Sequence, residues 1–269
     1  MATESALKVG GQALADGVFM RTERAWAVAR ADGRVEVGAT PPKRCPSVPV
    51  VRVLLGLATS LWLGLQKGLL AGRRRNRMFL LSLLTCEVVA VVLSQACEDI
   101  AASGVWRLAL EAVPWMGVLV AFRLVSPAAV WRYHGAEHKA VTAYEQGVDL
   151  DDVAGVLACS RIHNRCGTNL VFLVGLAAIA FQHQRGLVQL PLVLLSLAVA
   201  AELTAMAARR PRALWSMTLL AGGRFLQRNI TTAEPTAEEQ RVGCRALQAA
   251  LAEHARLEAR DLLSEPALL

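Results

Sequence analysis

Charge is scarce in this sequence. Charged residues make up 19% of its 269 positions and hydrophobic residues 54%, whereas an ordinary soluble domain carries roughly 25% charged residues. Aromatics are few, at 5% with two tyrosines, and no internal repeat or low-complexity segment is evident. Six cysteines (Cys45, Cys86, Cys97, Cys159, Cys166, Cys244) follow no disulfide-framework spacing. The first forty residues hold no apolar stretch of signal-peptide type, so no cleaved leader is expected. These absences exclude a disordered chain, a coiled coil, a collagen-like repeat and a secreted disulfide scaffold. With a mean hydropathy of +0.39, the expectation is a mainly α, polytopic membrane protein with water-exposed ends.

The net charge of +7 would raise the question of nucleic acid, but its distribution points elsewhere. Arginines cluster beside apolar runs, as in Arg73-Arg74-Arg75-Asn76-Arg77 and Arg209-Arg210-Pro211-Arg212. Such clusters suit anionic lipids on the cytoplasmic side of a bilayer. Membrane lipids are therefore the expected partners, and nucleic acid is not, because no nucleic-acid motif accompanies the charge.

Three parts are expected. Residues 1–49 read as a cytoplasmic segment with a β-hairpin: Ala25–Arg30 and Arg34–Val37 flank Asp32-Gly33, a pair that supplies the positive φ of a tight turn. Pro41, Pro42, Pro46 and Pro49 then form a stiff link. Residues 50–228 read as a membrane domain. Met78–Cys97, Val105–Val125, Thr168–Phe181 and Leu187–Ala208 are the candidate spans, set against the roughly 20 residues that a spanning helix needs. Val50–Leu70 is interrupted by Arg52, Gln66 and Lys67. If it lies in the interface or re-enters, the basic residues sort to one side, with both termini cytoplasmic. Residues 229–269 read as a cytoplasmic helix opened by Thr236 and Glu239, a capping-box pair.

The chemistry concentrates in Tyr133-His134-Gly135-Ala136-Glu137-His138-Lys139. His134 and His138 are four apart, so on a helix both imidazoles face one side, the spacing that offers two nitrogens to one metal. Glu137 lies on that side as a ligand or as a base for water, and His-x-x-Glu-His is the inverted zinc-protease pattern. Three of the five histidines (His134, His138, His163) fall within thirty residues. A second cluster, Ser160-Arg161-Ile162-His163-Asn164-Arg165-Cys166-Gly167-Thr168-Asn169, offers His163 and Cys166 as ligands. It reads equally as a helix start with Arg161 and Arg165 on lipid phosphates. Glu202, an acid inside an apolar run, is a further ligand candidate, since such an acid is costly unless paired or bound to a cation.

At these residues the chain resembles the YqhQ-like family, bacterial integral membrane proteins built on a domain of unknown function and regarded as metal-dependent enzymes. The resemblance is carried by Gly10-Gly11-Gln12-Ala13-Leu14-Ala15-Asp16-Gly17-Val18-Phe19-Met20-Arg21 and by the Tyr133–Lys139 string with Tyr144-Glu145. Ser160–Gly167 and Thr231-Thr232-Ala233-Glu234-Pro235-Thr236 complete it. Asp16 stands where the family usually has Glu. The resemblance implies that these strings converge on one site at the cytoplasmic side of a bacterial inner membrane. It makes Gln12, Asp16, Lys139, Tyr144, Glu145, Arg161 and Arg165 binding or orienting residues.

Two functions stay open. One is a metal-dependent hydrolase with zinc on His134 and His138, a third ligand from His163, Cys166 or Glu202, and Glu137 as catalytic base. Its substrate would be a membrane peptide or a lipid-linked group. The other is a non-catalytic accessory protein whose His, Glu and Cys residues form a structural joint and which docks on another membrane complex.

Overall fold

The computed structural model describes residues 7–41, 49–70, 74–97, 116–181 and 189–264. The chain is mainly helical, with one small antiparallel sheet near its N-terminus. Strands β1 (Gly10–Leu14), β2 (Gly17–Arg21), β3 (Ala25–Arg30) and β4 (Val35–Ala39) form a meander in sequence order. The expected hairpin is β3–β4: Gly33 takes φ +90° at its turn, and Ala29 pairs with Val35. Strands β1 and β2 extend it into a four-stranded sheet. Their glycines blur the alternation that marks a strand, yet packing requires two of them, Gly11 and Gly17. A Cβ at Gly17 would stand 2.1 Å from the Ala29 carbonyl oxygen.

Both faces of the sheet are covered. Val18, Met20, Ala27 and Ala29 point to one side, where they join α4 (Ala128–Gln146), α5 (Val153–Ala158) and α9 (Ala237–Ser264) in the largest core. Leu14, Phe19, Trp26 and Val28 point to the other and meet Leu63. This strict period of two is what a sheet buried on both sides demands. The small Ala27 and Ala29 let α9 lie close. Its N-terminus is capped as expected, with Thr236 Oγ1 accepting the Glu239 N–H at 3.2 Å and Glu239 Oε2 accepting the Thr236 N–H at 2.9 Å.

The other helices are α1 (Pro49–Leu63), continued by a π-helical segment Gly64–Leu70, then α2 (Arg74–Cys97) and α3 (Met116–Val125). After the central loop come α6 (Gly167–Phe181), α7 (Gln189–Arg209) and α8 (Leu214–Leu226), followed by a π turn over Gln227–Thr231. Helix α7 packs on α1, α6 and α8. Among the described residues one helix, Pro191–Arg209, is long and apolar enough to cross a bilayer, where the sequence reading counts four spans. Helix α6 has 15 residues, short of the roughly 20 required. Most of the expected Val105–Val125 span, like most of the proline link, lies outside the described residues. The Val50–Leu70 segment is docked at its end: Leu63 enters the core under the sheet, and Lys67 Nζ sits 5.6 Å from the Trp26 ring centre.

Candidate metal centre

Helix α4 carries the motif. It is stopped by Gly147, at φ +72°, whose N–H bonds the Tyr144 carbonyl. One turn apart on α4, the His134 and His138 rings approach to 4.4 Å between centres. Cys166 immediately precedes α6 and accepts the Thr168 N–H at 3.3 Å, so its sulfur stands at a helix N-terminus. Its Sγ lies 3.4 Å from His134 Nε2. One ligand atom from each of His134, His138 and Cys166 falls within 4.8 Å of the other two.

The two imidazoles are oriented alike. His134 Nδ1 donates to the Thr231 carbonyl and His138 Nδ1 to the Arg161 carbonyl, each at 2.6 Å. A carbonyl only accepts, so Nδ1 carries a proton in both rings, and in the neutral form of either ring Nε2 is the nitrogen with the lone pair. Burial, followed by the charge of His134, holds His138 below the usual imidazole range, against the pull of Cys166 and the Arg161 carbonyl. A neutral imidazole whose far nitrogen is hydrogen-bonded to a carbonyl is the form that ligates metals. Two such nitrogens and one sulfur suit zinc and its neighbours in the first transition row. The donor set therefore fits a divalent ion.

The two orienting carbonyls are tied together. Arg161 presents its own carbonyl to His138, while its guanidinium bonds Thr232 Oγ1 at 2.5 Å, the Arg228 carbonyl at 3.1 Å and Glu234 Oε1 at 2.9 Å. That grip holds the segment whose Thr231 carbonyl serves His134. Lys139, buried, donates to the Leu157 and Cys159 carbonyls at 2.6 and 2.9 Å and pairs with Glu234 at 3.1 Å. Burial works to raise Glu234, but the hydrogen bonds and charges of Lys139 and Arg161 outweigh it and hold the carboxyl low. The segment crosses α4 closely enough for the Ala233 N–H to bond the Trp131 carbonyl at 2.8 Å. A Cβ at Gly135 would stand 2.0 Å from the Ala233 carbonyl oxygen, which explains a glycine inside the histidine motif.

The remaining sequence candidates fall in different places. His163 lies beside the trio, its ring 5.9 Å from that of His138, but its Nε2 faces Glu145 Oε2 at 3.2 Å and its Nδ1 accepts the Arg165 N–H at 3.3 Å. Arg165 also pairs with Glu145. Burial works to raise Glu145, but the His163 hydrogen bond and the charges of His163 and Arg165 prevail and lower it. Tyr144 packs against the core between sheet and helices. Glu137 is buried and accepts the Gly11 N–H of β1; burial raises it above the usual carboxyl range, against the charges of His134 and His163. Gln12 lies against Gly64, where its buried Oε1 has no hydrogen-bond partner among the described residues. Asp16 is buried with Arg30 at 3.0 Å and Asn76 at 2.7 Å. Glu202 is exposed on α7 and is not part of the three-residue group.

Sequence reasoning assigned no role to Thr231, Thr232, Gln227 or Glu234. Gln227 is fully buried and accepts the His163 N–H at 2.9 Å. The first two and Glu234 lie in a string that the family resemblance had already marked, but main-chain carbonyls leave no side-chain signature.

No solved structure matches this chain. The uncharacterized protein YqhQ of Bacillus subtilis (strain 168) is 32% identical over 98 residues, which cover 35% of this chain and 30% of that protein. The chain thus matches less than a third of that relative's length. The family model for a protein of unknown function, DUF1385, matches residues 48–253, most of the chain and all three ligand candidates, and on that match this protein belongs to the YqhQ-like DUF1385 family.

Proposed function

We propose that this protein is a metal-dependent membrane enzyme, a hydrolase working at the cytoplasmic face of a bacterial inner membrane. In this reading His134, His138 and Cys166 hold one divalent ion of the zinc class. The observation that carries it is the matched pair of Nδ1-to-carbonyl hydrogen bonds at 2.6 Å, which leave Nε2 of each ring for a metal, with His134 Nε2 3.4 Å from Cys166 Sγ. His134, His138 and Cys166 would hold such an ion with three protein ligands, the number found in catalytic rather than structural zinc sites. When bound, such an ion supplies Lewis acidity and makes water a nucleophile near neutral pH. Glu137, buried one residue from His138, would serve as the general base for water. His163, Glu145 and Arg165 form a polar edge to the site and position what enters it.

The membrane reading rests on Pro191–Arg209 and on the apolar side chains that α2 and α7 leave exposed, Leu81 at 65% and Leu195 at 50% among them. Four spans with both termini inside remain the topology that best sorts the arginines. A membrane peptide or a lipid-linked group is the substrate class that such a location serves.

A second reading is favoured by the Arg161 grip, which joins the histidine helix, the central loop and the C-terminal segment. There the ion is a structural staple in an accessory protein that docks on another membrane complex. Coordination number separates the two, because a structural zinc is closed by four protein ligands. In the full chain loaded with cobalt, His134→Ala, His138→Ala and Cys166→Ala should each abolish metal retention while the protein still inserts. Glu137→Gln should keep the metal and fail to complement a deletion strain. Full metal content in both histidine variants, or complementation by Glu137→Gln, overturns the hydrolase reading.

A further inference from the structure

Helix α8 presents two unlike faces. Ser216, Leu220, Gly223 and Leu226 are buried against α6 and α7, and the approach to α6 is close. A Cβ at Gly222 would stand 2.1 Å from the Phe172 ring, and one at Gly223 2.1 Å from Asn169 Oδ1. On the outside Leu214, Trp215, Met217 and Phe225 are exposed, Leu214 at 82% and Phe225 at 60%. The Thr218 hydroxyl between them donates back to the Leu214 carbonyl at 3.0 Å, so the outer face offers little polarity of its own.

The charge around this helix is of one sign. From Leu203 to Ala233 the chain has five arginines (Arg209, Arg210, Arg212, Arg224, Arg228) and no aspartate or glutamate. Arg224 is held by Asn164 Oδ1 at 2.8 Å. Arg209, Arg210, Arg212 and Arg228 are exposed, and none pairs with a carboxylate among the described residues. Helix α8 has 13 residues and so is about 20 Å long, too short for a hydrocarbon core of about 30 Å. It follows the one candidate span after a four-residue turn. A short helix with an apolar outer face, a tryptophan and unpaired arginines, placed at the end of a span, has the make-up of an interfacial helix.

We propose that α8 lies in the headgroup layer of an anionic leaflet, with Leu214, Trp215, Met217 and Phe225 on the acyl chains and Arg209, Arg210, Arg212 and Arg228 on lipid phosphates. The proposal rests on the reading of Pro191–Arg209 as a membrane span. It deepens the proposed function, because α8 passes directly into the π turn whose Thr231 carbonyl orients His134. The candidate metal centre is then one turn from the lipid surface, and an amphiphilic substrate reaches it from the bilayer rather than from bulk water.

The experiment is photocrosslinking of the full chain with a benzophenone side chain at Met217 or Phe225. Val199 on the exposed side of α7 serves as the span reporter and Glu258 on α9 as the water-facing one. The protein is reconstituted in phosphatidylethanolamine–phosphatidylglycerol vesicles or in phosphatidylcholine vesicles. Lipid adducts at positions 217, 225 and 199 and none at 258 are expected. Arg209→Ser/Arg210→Ser/Arg212→Ser should lower the adduct yield at 217 by about fivefold or more in the anionic vesicles, the effect of losing about one surface cation or more, and little in phosphatidylcholine. Adducts at 199 but not at 217 or 225 overturn the interfacial helix and leave the span intact. Absence of adducts at 199 as well overturns the membrane reading itself. Adducts joining two protein chains at 217 or 225 make a second copy the occupant of this face, and equal loss in both vesicle types overturns the assignment to an anionic leaflet.

Discussion

At the scale of single residues, Arg161 connects the two halves of the candidate metal centre. Its carbonyl accepts the His138 Nδ1–H, and its guanidinium spreads over Thr232, Arg228 and Glu234, which sets the Thr231 carbonyl for His134. A planar fork can hold several acceptors at once, whereas an ammonium concentrates its charge at one point. Arg161→Lys should therefore keep the fold and all three ligands yet weaken cobalt or zinc binding by about 10–100-fold, the usual cost of removing a partner behind a ligand. Competition titration against a chromogenic chelator measures this, and the cobalt–thiolate absorption band reports whether Cys166 stays bound. Unchanged affinity would mean that the carbonyls hold their places without the guanidinium. The histidine pair was legible in the sequence because helical spacing alone puts both rings on one side. The grouping of Cys166, rather than His163, with that pair was not, since both lie in the same loop and their directions depend on Glu145, Arg165 and the start of α6.

At the scale of elements, the crossing of residues 231–236 over α4 decides how close the C-terminal segment comes to the histidines. Gly135 makes the crossing possible, and the obstacle to a side chain there is main chain, which yields poorly. Gly135→Ala should destabilise the protein by about 3 kcal/mol, the upper part of the range for overpacking, and should weaken metal retention, because the Thr231 carbonyl moves with Ala233. Gly175→Ala, in α6, is the control. A Cβ there meets nothing within 4 Å, so stability should hold or rise slightly through helix propensity. Thermal unfolding in one detergent with and without zinc gives both readouts. If Gly135→Ala melts like Gly175→Ala, the segment is free to stand off from α4. The β3–β4 hairpin and the α9 capping box were readable as elements because each depends on neighbours within a few residues. Strands β1 and β2 were hidden by glycines, of which Gly11 and Gly17 are needed because they face the main chain of the next strand.

Across the whole molecule, a buried polar cluster ties the sheet to the helical region. Asp16 receives Arg30 of β3 and Asn76 of α2, while the Asn76 side-chain oxygen accepts the Ala15 N–H at 2.7 Å. Arg30 is 2% exposed and Asn76 fully buried, so removing the carboxylate leaves a guanidinium out of water, with the half-exposed Glu36 3.7 Å away. Asp16→Ala should cost about 3–5 kcal/mol, as for other broken buried pairs. Asp16→Asn, which keeps the shape and part of the bonding, should cost less. Unfolding midpoints in lipid-like detergent check the order, and equal midpoints for the two variants would show that the charge does not matter. The family resemblance drew Asp16 toward the metal, whereas the structure gives it this joint.

The amino-acid order alone determined the helical, apolar character of the chain, the hairpin turn at Asp32-Gly33, the capping box at Thr236 and the pairing of His134 with His138. All of these follow from composition or from contacts within about one helical turn. Tertiary structure decided that Cys166 completes the trio, that His163 turns to Glu145, that Asp16 and Gln12 serve the sheet, and that Thr231 and Arg161 orient the imidazoles. Those outcomes depend on main-chain carbonyls and on residues 14 to 97 positions apart. Local spacing carries no information about such pairs until the sheet, α4 and α9 have packed around one core.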